Sequence, residues 1–283
     1  MKYKIKRKTN TNTNINNNNN KKIKKRKRRN FITIKSLIKK KKKGEIESQY
    51  IKSENNNITI KVKINFEDVN KKVYLLSTND PDIEEEEEEN NNYIQKHLEK
   101  NNINISYINN TEKISTNKNY NIFKKKGEFN LKINFNIIIT QGFSLFSGCE
   151  NITFIDLSNF NTELMTNFNY MFLNCYKLKE IKFGNFNTKK MAKMNFMFYG
   201  CENLKEINLE AFDTNNVEEA RCLFGYCKSL VNLNLSKFDF KNLKNFEDMF
   251  IGCENLENII VNEQLYEQIG DVLKKYNITI IYN

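Results

Sequence analysis

A recurrence of 26 residues constrains this chain more than any other feature of it. Cys149, Cys175, Cys201, Cys227 and Cys253 stand one such step apart, and so do Phe146, Phe172, Phe198, Phe224 and Phe250. Ile152, Leu178, Leu204, Leu230 and Leu256 keep the step. Ile155, Ile181, Ile207, Leu233 and Ile259 keep it as well, followed by Leu157, Phe183, Leu209, Leu235 and Val261. A fixed period of roughly 20–29 residues with this layout is the mark of a leucine-rich-repeat solenoid.

Each unit divides in two. The pattern L-x-x-[IL]-x-[LFV]-x-x-F, as in Leu204 to Phe212, alternates at its centre and predicts one short parallel strand. Met165, Phe168, Met171, Phe172 and Cys175 then fall three and four apart, a helical spacing, as do Met191, Met194, Met197, Phe198 and Cys201. Thr162, Thr188 and Thr214 precede these runs, where a hydroxyl can cap a helix N-terminus. One coil cannot bury its apolar side alone, so stacking would make the core continuous. Stepping back from Ile155 and Leu157 gives Phe129 and Leu131, which predicts a first strand over Glu128–Phe135. Leu265, Ile269, Val272, Leu273 and Tyr276 form one helical stripe, and Ile278, Ile280 and Ile281 a last strand. Both depart from the period, as units that cover the end of a solenoid do. The expected fold is therefore α/β: a leucine-rich-repeat solenoid of strand-turn-helix coils with a parallel sheet, over residues 126–283.

Upstream the character changes. Ile58, Ile60, Val62 and Ile64 alternate with polar residues, Val73–Leu76 reads as a second strand, and Ile103, Ile105 and Tyr107 as a third. These predict a small β-rich domain over 44–125. Its polar insert at 80–92, with six consecutive Glu from Glu84, is expected to be a surface loop. Of 46 basic and 34 acidic residues, 19 basic and no acidic ones lie in 1–43, which leaves 27 against 34 and a net −7 for the rest. The basic character therefore belongs to a low-complexity tail, too poor in apolar residues to offset its ordering entropy and expected to be disordered. Lys21, Lys22, Lys24, Lys25, Arg26, Lys27, Arg28 and Arg29 form its densest block, a candidate contact for nucleic acid or anionic membrane. Compositional bias explains the same block.

The units Met171-Phe172-Leu173-Asn174-Cys175-x-x-Leu178 and Ile155–Thr162 resemble the repeats of BspA-like leucine-rich-repeat surface proteins. That family reads roughly M-F-x-x-C-x-x-L-x-x-L-D-L-S-x-F-D-T, and the resemblance covers about 137–262. It implies protein binding, adhesion in bacterial members, and no catalysis. The β-rich segment before the repeats is similar to what precedes them in some protist members.

The residues themselves point the same way. A catalytic site needs groups that converge, and the sequence has one histidine, His97, in a polar stretch. It has no Ser-His-Asp pattern, HExxH, P-loop or G-x-G-x-x-G. Neither enzymatic activity nor a cofactor is expected. Cysteines 26 apart would line up along an axis instead of converging on a metal, so none is expected there either. Such a line can be buried thiols or, if oxidised, disulfides.

The working surface is expected where strand side chains alternate outward onto a concave sheet: Phe154, Asp156, Glu180, Lys182, Glu206, Asn208, Glu210, Asn232, Asn234 and Ile260. Glu180, Glu206 and Glu210 make its centre acidic, and Phe154 and Ile260 are candidate anchors. This face suits a protein or peptide partner of basic character and not a phosphate backbone. The alternative is a nucleic-acid- or membrane-associated adaptor acting through the tail. Neither reading involves a small-molecule substrate. With no secretory signal and no apolar run near the ~20 residues of a membrane span, a cytoplasmic or nuclear location is expected, the cell surface only by an unrecognised export route.

Overall fold

The computed structural model describes residues 56–77, 102–108, 114, 118–276 and 278–282. The tail 1–43 with its block Lys21–Arg29, the acidic insert 80–92 and His97 lie outside the described residues.

Strands β1 (Asn57–Ile64), β3 (Ile103–Tyr107), β5 (Gly127–Phe135), β6 (Ile152–Asn159) and β7 (Glu180–Lys182) form a five-stranded sheet in the order β3-β5-β1-β6-β7. Its first three pairings are antiparallel, and β6 pairs with β7 in parallel. Strands β2 (Lys72–Tyr74) and β4 (Tyr120–Ile122) make an antiparallel pair. Strands β8 (Asn232–Asn234), β9 (Asn258–Val261) and β10 (Thr279–Tyr282) make a parallel sheet in the order β10-β9-β8. The alternation in β1 buries Ile58, Ile60, Val62 and Ile64, which sit between β5 and β6. The segment before residue 126 and the segment after it thus share one sheet.

Among the described residues one α-helix forms, α1 (Glu263–Lys275), and it links β9 to β10. Asn262 caps it, its side-chain oxygen accepting from the Leu265 N–H at 2.7 Å. Lys274 and Lys275 stand in the last turn, where a cation meets the negative end of the helix dipole. Leu265, Ile269 and Leu273 are buried on one face, each such side chain stabilising by about 1.5–3 kcal/mol.

These findings correct the expected fold. The chain does not build a leucine-rich-repeat solenoid: among the described residues its sheets are three, two of them wholly or mainly antiparallel, and the runs read as helices are successive turns. The hydrogen bonds give the reason. Phe168, Tyr170, Phe172 and Asn174 send their N–H groups to the carbonyls of Lys193, Asn195, Met197 and Tyr199, at 2.8–2.9 Å. The residues between them close tight turns instead, Met171 N–H to Phe168 and Leu173 N–H to Tyr170. Every second amide is therefore spent on a neighbouring segment, and no i−4 ladder can form. Tyr170 and Asn174 take left-handed backbone, φ 60° and 56°, which no helix tolerates.

The three- and four-residue spacing that mimics a helix is the spacing of these turns, whose apolar side chains all point inward. Residues 26 apart still meet there. Phe146, Phe172, Phe198, Phe224 and Phe250 stack with ring centroids 5.5–6.0 Å apart and planes within 8° of parallel. The threonines do not cap helices either. Thr162, Thr188 and Thr214 are buried and bond to the backbone of Asn187, Asp213 and Asp239 in the next segment.

Candidate functional site

The two large sheets do not join. After β7 the next segment that could pair, Glu206–Asn208, forms no strand, and no backbone ladder connects it to β7 or to β8. The interruption leaves a depression of about 690 Å³ beside β7. Glu180, Lys182, Glu206, Asn208 and Glu210 line it, with Ile181 and Ile207 among its apolar lining. Those two isoleucines are 7% and 9% exposed, whereas Ile155 and Leu233 on the flanking strands are 0% and 1% exposed. The break thus opens the core slightly at this point.

The turn after β7 shapes one wall. Asp156, Asn208 and Asn234 each accept, through a side-chain oxygen, the N–H two residues on, at 2.9, 3.0 and 3.0 Å. Of these Asx turns, that of Asn234 closes a strand, at the end of β8. Lys182 cannot make one, and the chain turns instead through Gly184 at φ +53°. A Cβ at Gly184 would sit 2.5 Å from the Ser158 hydroxyl oxygen and 2.7 Å from its Cα, so only glycine lets the two segments approach this closely.

The charges here are unevenly matched. Lys182 and Glu180 approach to 4.0 Å, with both side chains more than half exposed. Among the described residues no ion pair involves Glu206 or Glu210. The depression therefore carries surplus negative charge.

The ten residues expected to share one concave face are divided. Phe154, Asp156, Glu180 and Lys182 lie on the five-stranded sheet, Asn232, Asn234 and Ile260 on the three-stranded one, and Glu206, Asn208 and Glu210 between them. That corrects the concave-face scaffold, which needs one continuous sheet. Phe154 is not a free anchor, since the ammonium groups of Lys61 and Lys182 lie 4.8 and 5.3 Å from its ring centroid. Asn232 accepts from the Asn258 side chain at 2.8 Å. Gly184, Ile181 and Ile207 are contributors that the sequence reading did not place in the site; the two isoleucines stood only in an apolar column. The glycine at 184, where Ser158 and Ser236 stand one and two steps away, is the signal that could have marked the spot.

Other chemistry is sparse. Among the described residues no group of three or more His, Cys, Asp or Glu side chains is placed to hold a metal ion, and no helix is long and apolar enough to cross a membrane. The six cysteines are all free. Cys175, Cys201, Cys227 and Cys253 donate S–H bonds to the carbonyls of Phe146, Phe172, Phe198 and Phe224, at 3.1, 3.3, 3.1 and 2.9 Å. Burial pushes these thiols up, that of Cys253 to about 12.

Comparison with known proteins does not return the BspA-like family. No curated protein and no solved structure matches the chain. One family model, described as "Mycoplasma protein of unknown function, DUF285", matches it twice, over residues 89–183 and 140–263. Together these matches span more than half of the 283 residues, and the chain belongs to that family.

Proposed function

We propose that this is a non-catalytic binding protein that takes an extended, basic polypeptide segment into the depression beside β7. The interruption of the sheet carries the reading: it sets unladdered backbone, an apolar lining from Ile181 and Ile207, and the carboxylates of Glu206 and Glu210 in one place. A lysine or arginine suits that combination, because its aliphatic stem covers apolar surface while its charged head reaches a carboxylate. An extended segment suits it further, since strand-like peptides satisfy backbone groups that a sheet leaves open.

The test is fluorescence anisotropy of the full chain with a labelled peptide of alternating Lys and Val, beside its Glu/Val counterpart. Selective binding of the lysine peptide is expected, weakened roughly tenfold by Glu206→Gln with Glu210→Gln, since exposed ion pairs each contribute about 0.2–1 kcal/mol. Equal affinity in the double variant would sink the reading.

The thiols support a cytoplasmic or nuclear location. Their S–H groups serve as hydrogen-bond donors, a role that a reducing compartment preserves.

A further inference from the structure

Strand β1 ends at Ile64, opposite Gly127, the first residue of β5. Two turns therefore lie side by side at this end of the five-stranded sheet. One is a single helical turn, Phe66–Asp68, and the other carries Lys124, Lys125 and Lys126. The Asn70 N–H donates to the Phe123 carbonyl at 2.9 Å and ties the two together. The β2–β4 pair continues from them, with Lys72 opposite Ile122 and Tyr74 opposite Tyr120. Val73 is buried, so Lys72 and Tyr74 on either side of it are directed to the other face.

This end of the sheet is basic and apolar at once. Residues 69–76 and 118–127 hold six lysines and no acidic residue. All six lysines are exposed, and among the described residues none of them forms an ion pair. Asp68 in the adjoining turn is held by Lys177 and Asn151, which leaves Glu67 and Glu128 to oppose them. Phe66 is 84% exposed, the highest value for a large apolar side chain among the described residues, and Ile122 is 41% exposed.

We infer that this end of the sheet docks on an anionic lipid bilayer. Phe66 and Ile122 enter the headgroup boundary, and the lysines meet the lipid phosphates. The combination of side chains selects this partner. Interfaces between proteins are depleted in lysine, whereas an anionic bilayer takes apolar and cationic groups together. A single-stranded nucleic acid would need free ring faces on which bases stack. Tyr120 is already engaged: the ammonium groups of Lys72 and Lys118 lie 4.9 and 5.3 Å from its ring centroid, and Tyr74 meets it edge to face at 5.8 Å. The surface does not include the depression beside β7, so the inference stands apart from the peptide-binding reading.

The chain has no tryptophan, so Phe66→Trp in the full chain places one fluorescent reporter on this surface. Vesicles of phosphatidylcholine with phosphatidylserine are expected to shift its emission to the blue, and brominated lipids to quench it. Vesicles of phosphatidylcholine alone should do neither. Each lysine near an anionic leaflet is worth roughly fivefold in partitioning, so adding Lys124→Gln, Lys125→Gln and Lys126→Gln should raise the lipid needed for the half-maximal shift about a hundredfold. All four substituted positions are exposed, and the fold should tolerate them. Binding through the basic block 21–29 alone would leave the reporter in water. An unshifted emission with anionic vesicles, an equal shift with phosphatidylcholine alone, or a lysine variant that titrates as its parent does would each overturn the inference. So would quenching by a single-stranded oligonucleotide at lipid-free conditions with no response to vesicles, which would give the surface to nucleic acid.

Discussion

The Thr188 hydroxyl and the Asp213 backbone form a reciprocal pair: Oγ1 accepts the Asp213 N–H at 2.7 Å and donates to the Asp213 carbonyl at 3.1 Å. Thr162 does the same with Asn187 at 2.8 and 2.9 Å, and Thr214 with Asp239 at 2.8 and 3.2 Å. Each hydroxyl closes the turn after one segment onto the next. Because the group both donates and accepts, no apolar isostere can replace it.

Thr188→Val is therefore expected to leave both backbone groups of Asp213 without this partner. Thr188 is 1% exposed, and a buried orphan of this kind costs about 1–3 kcal/mol. Thr188→Ser keeps the hydroxyl and should lose much less. Urea denaturation of the two variants checks this, and equal midpoints would show that the pair contributes nothing.

Gly184→Ala should destabilise the fold and deform the depression. A left-handed backbone costs an L-residue roughly 1–2 kcal/mol before any clash is counted, and here the new Cβ meets Ser158 as well. Adding Ser158→Gly removes the contact with the side chain but not the backbone cost, so partial recovery in thermal unfolding is expected. Full recovery would mean that the conformation at Gly184 is not strained for alanine.

The thiols should be inert while the protein is folded. Burial is the first cause that raises Cys149, Cys175, Cys201, Cys222, Cys227 and Cys253 above the ordinary thiol value. The thiolate is the nucleophile, so Ellman's reagent at mildly alkaline pH should label the native protein slowly and all six cysteines after denaturation. Rapid stoichiometric labelling of the native form would contradict the buried arrangement.

Asp68 gives a pH-dependent contribution to stability. Burial acts upward on its carboxyl, but the Asn65 N–H, the Lys177 ammonium at 3.4 Å and the Asn151 amide at 2.8 Å outweigh it and hold it below the usual carboxylate value. A group depressed in the folded state stabilises above its unfolded value, and the contribution fades as pH falls through the folded one. Asp68→Asn should therefore lower the urea midpoint at neutral pH and have little effect in strong acid. A difference that is the same at both pH values would rule out the carboxylate as its source.

What could be read in advance followed from burial. The columns of Phe, Cys and Leu are inside the protein apart from the half-buried Cys253, with Phe146, Phe172, Phe198 and Phe224 at 0% exposure, because apolar side chains at a regular spacing must share a core. The alternation of β1, the strand at Ile103–Tyr107 and the stripe Leu265–Ile269–Leu273 were legible for the same reason. The acidic residues of the depression were also visible, but their neighbours Gly184, Ile181 and Ile207 were not singled out. Nothing in a local pattern states that a strand will fail to pair.

The sequence by itself determined which side chains are buried and which residues 26 apart come into contact, because both follow from the spacing of apolar groups along the chain. Only the tertiary structure decided what the backbone does between those contacts. Helix and stacked turns bury the same three- and four-residue pattern, and they differ in where the amides bond. Here Phe168, Tyr170 and Phe172 bond to the adjacent segment. That preference exists only once the segments lie side by side, and it yields turns in place of helices and a sheet that breaks at Glu206–Asn208.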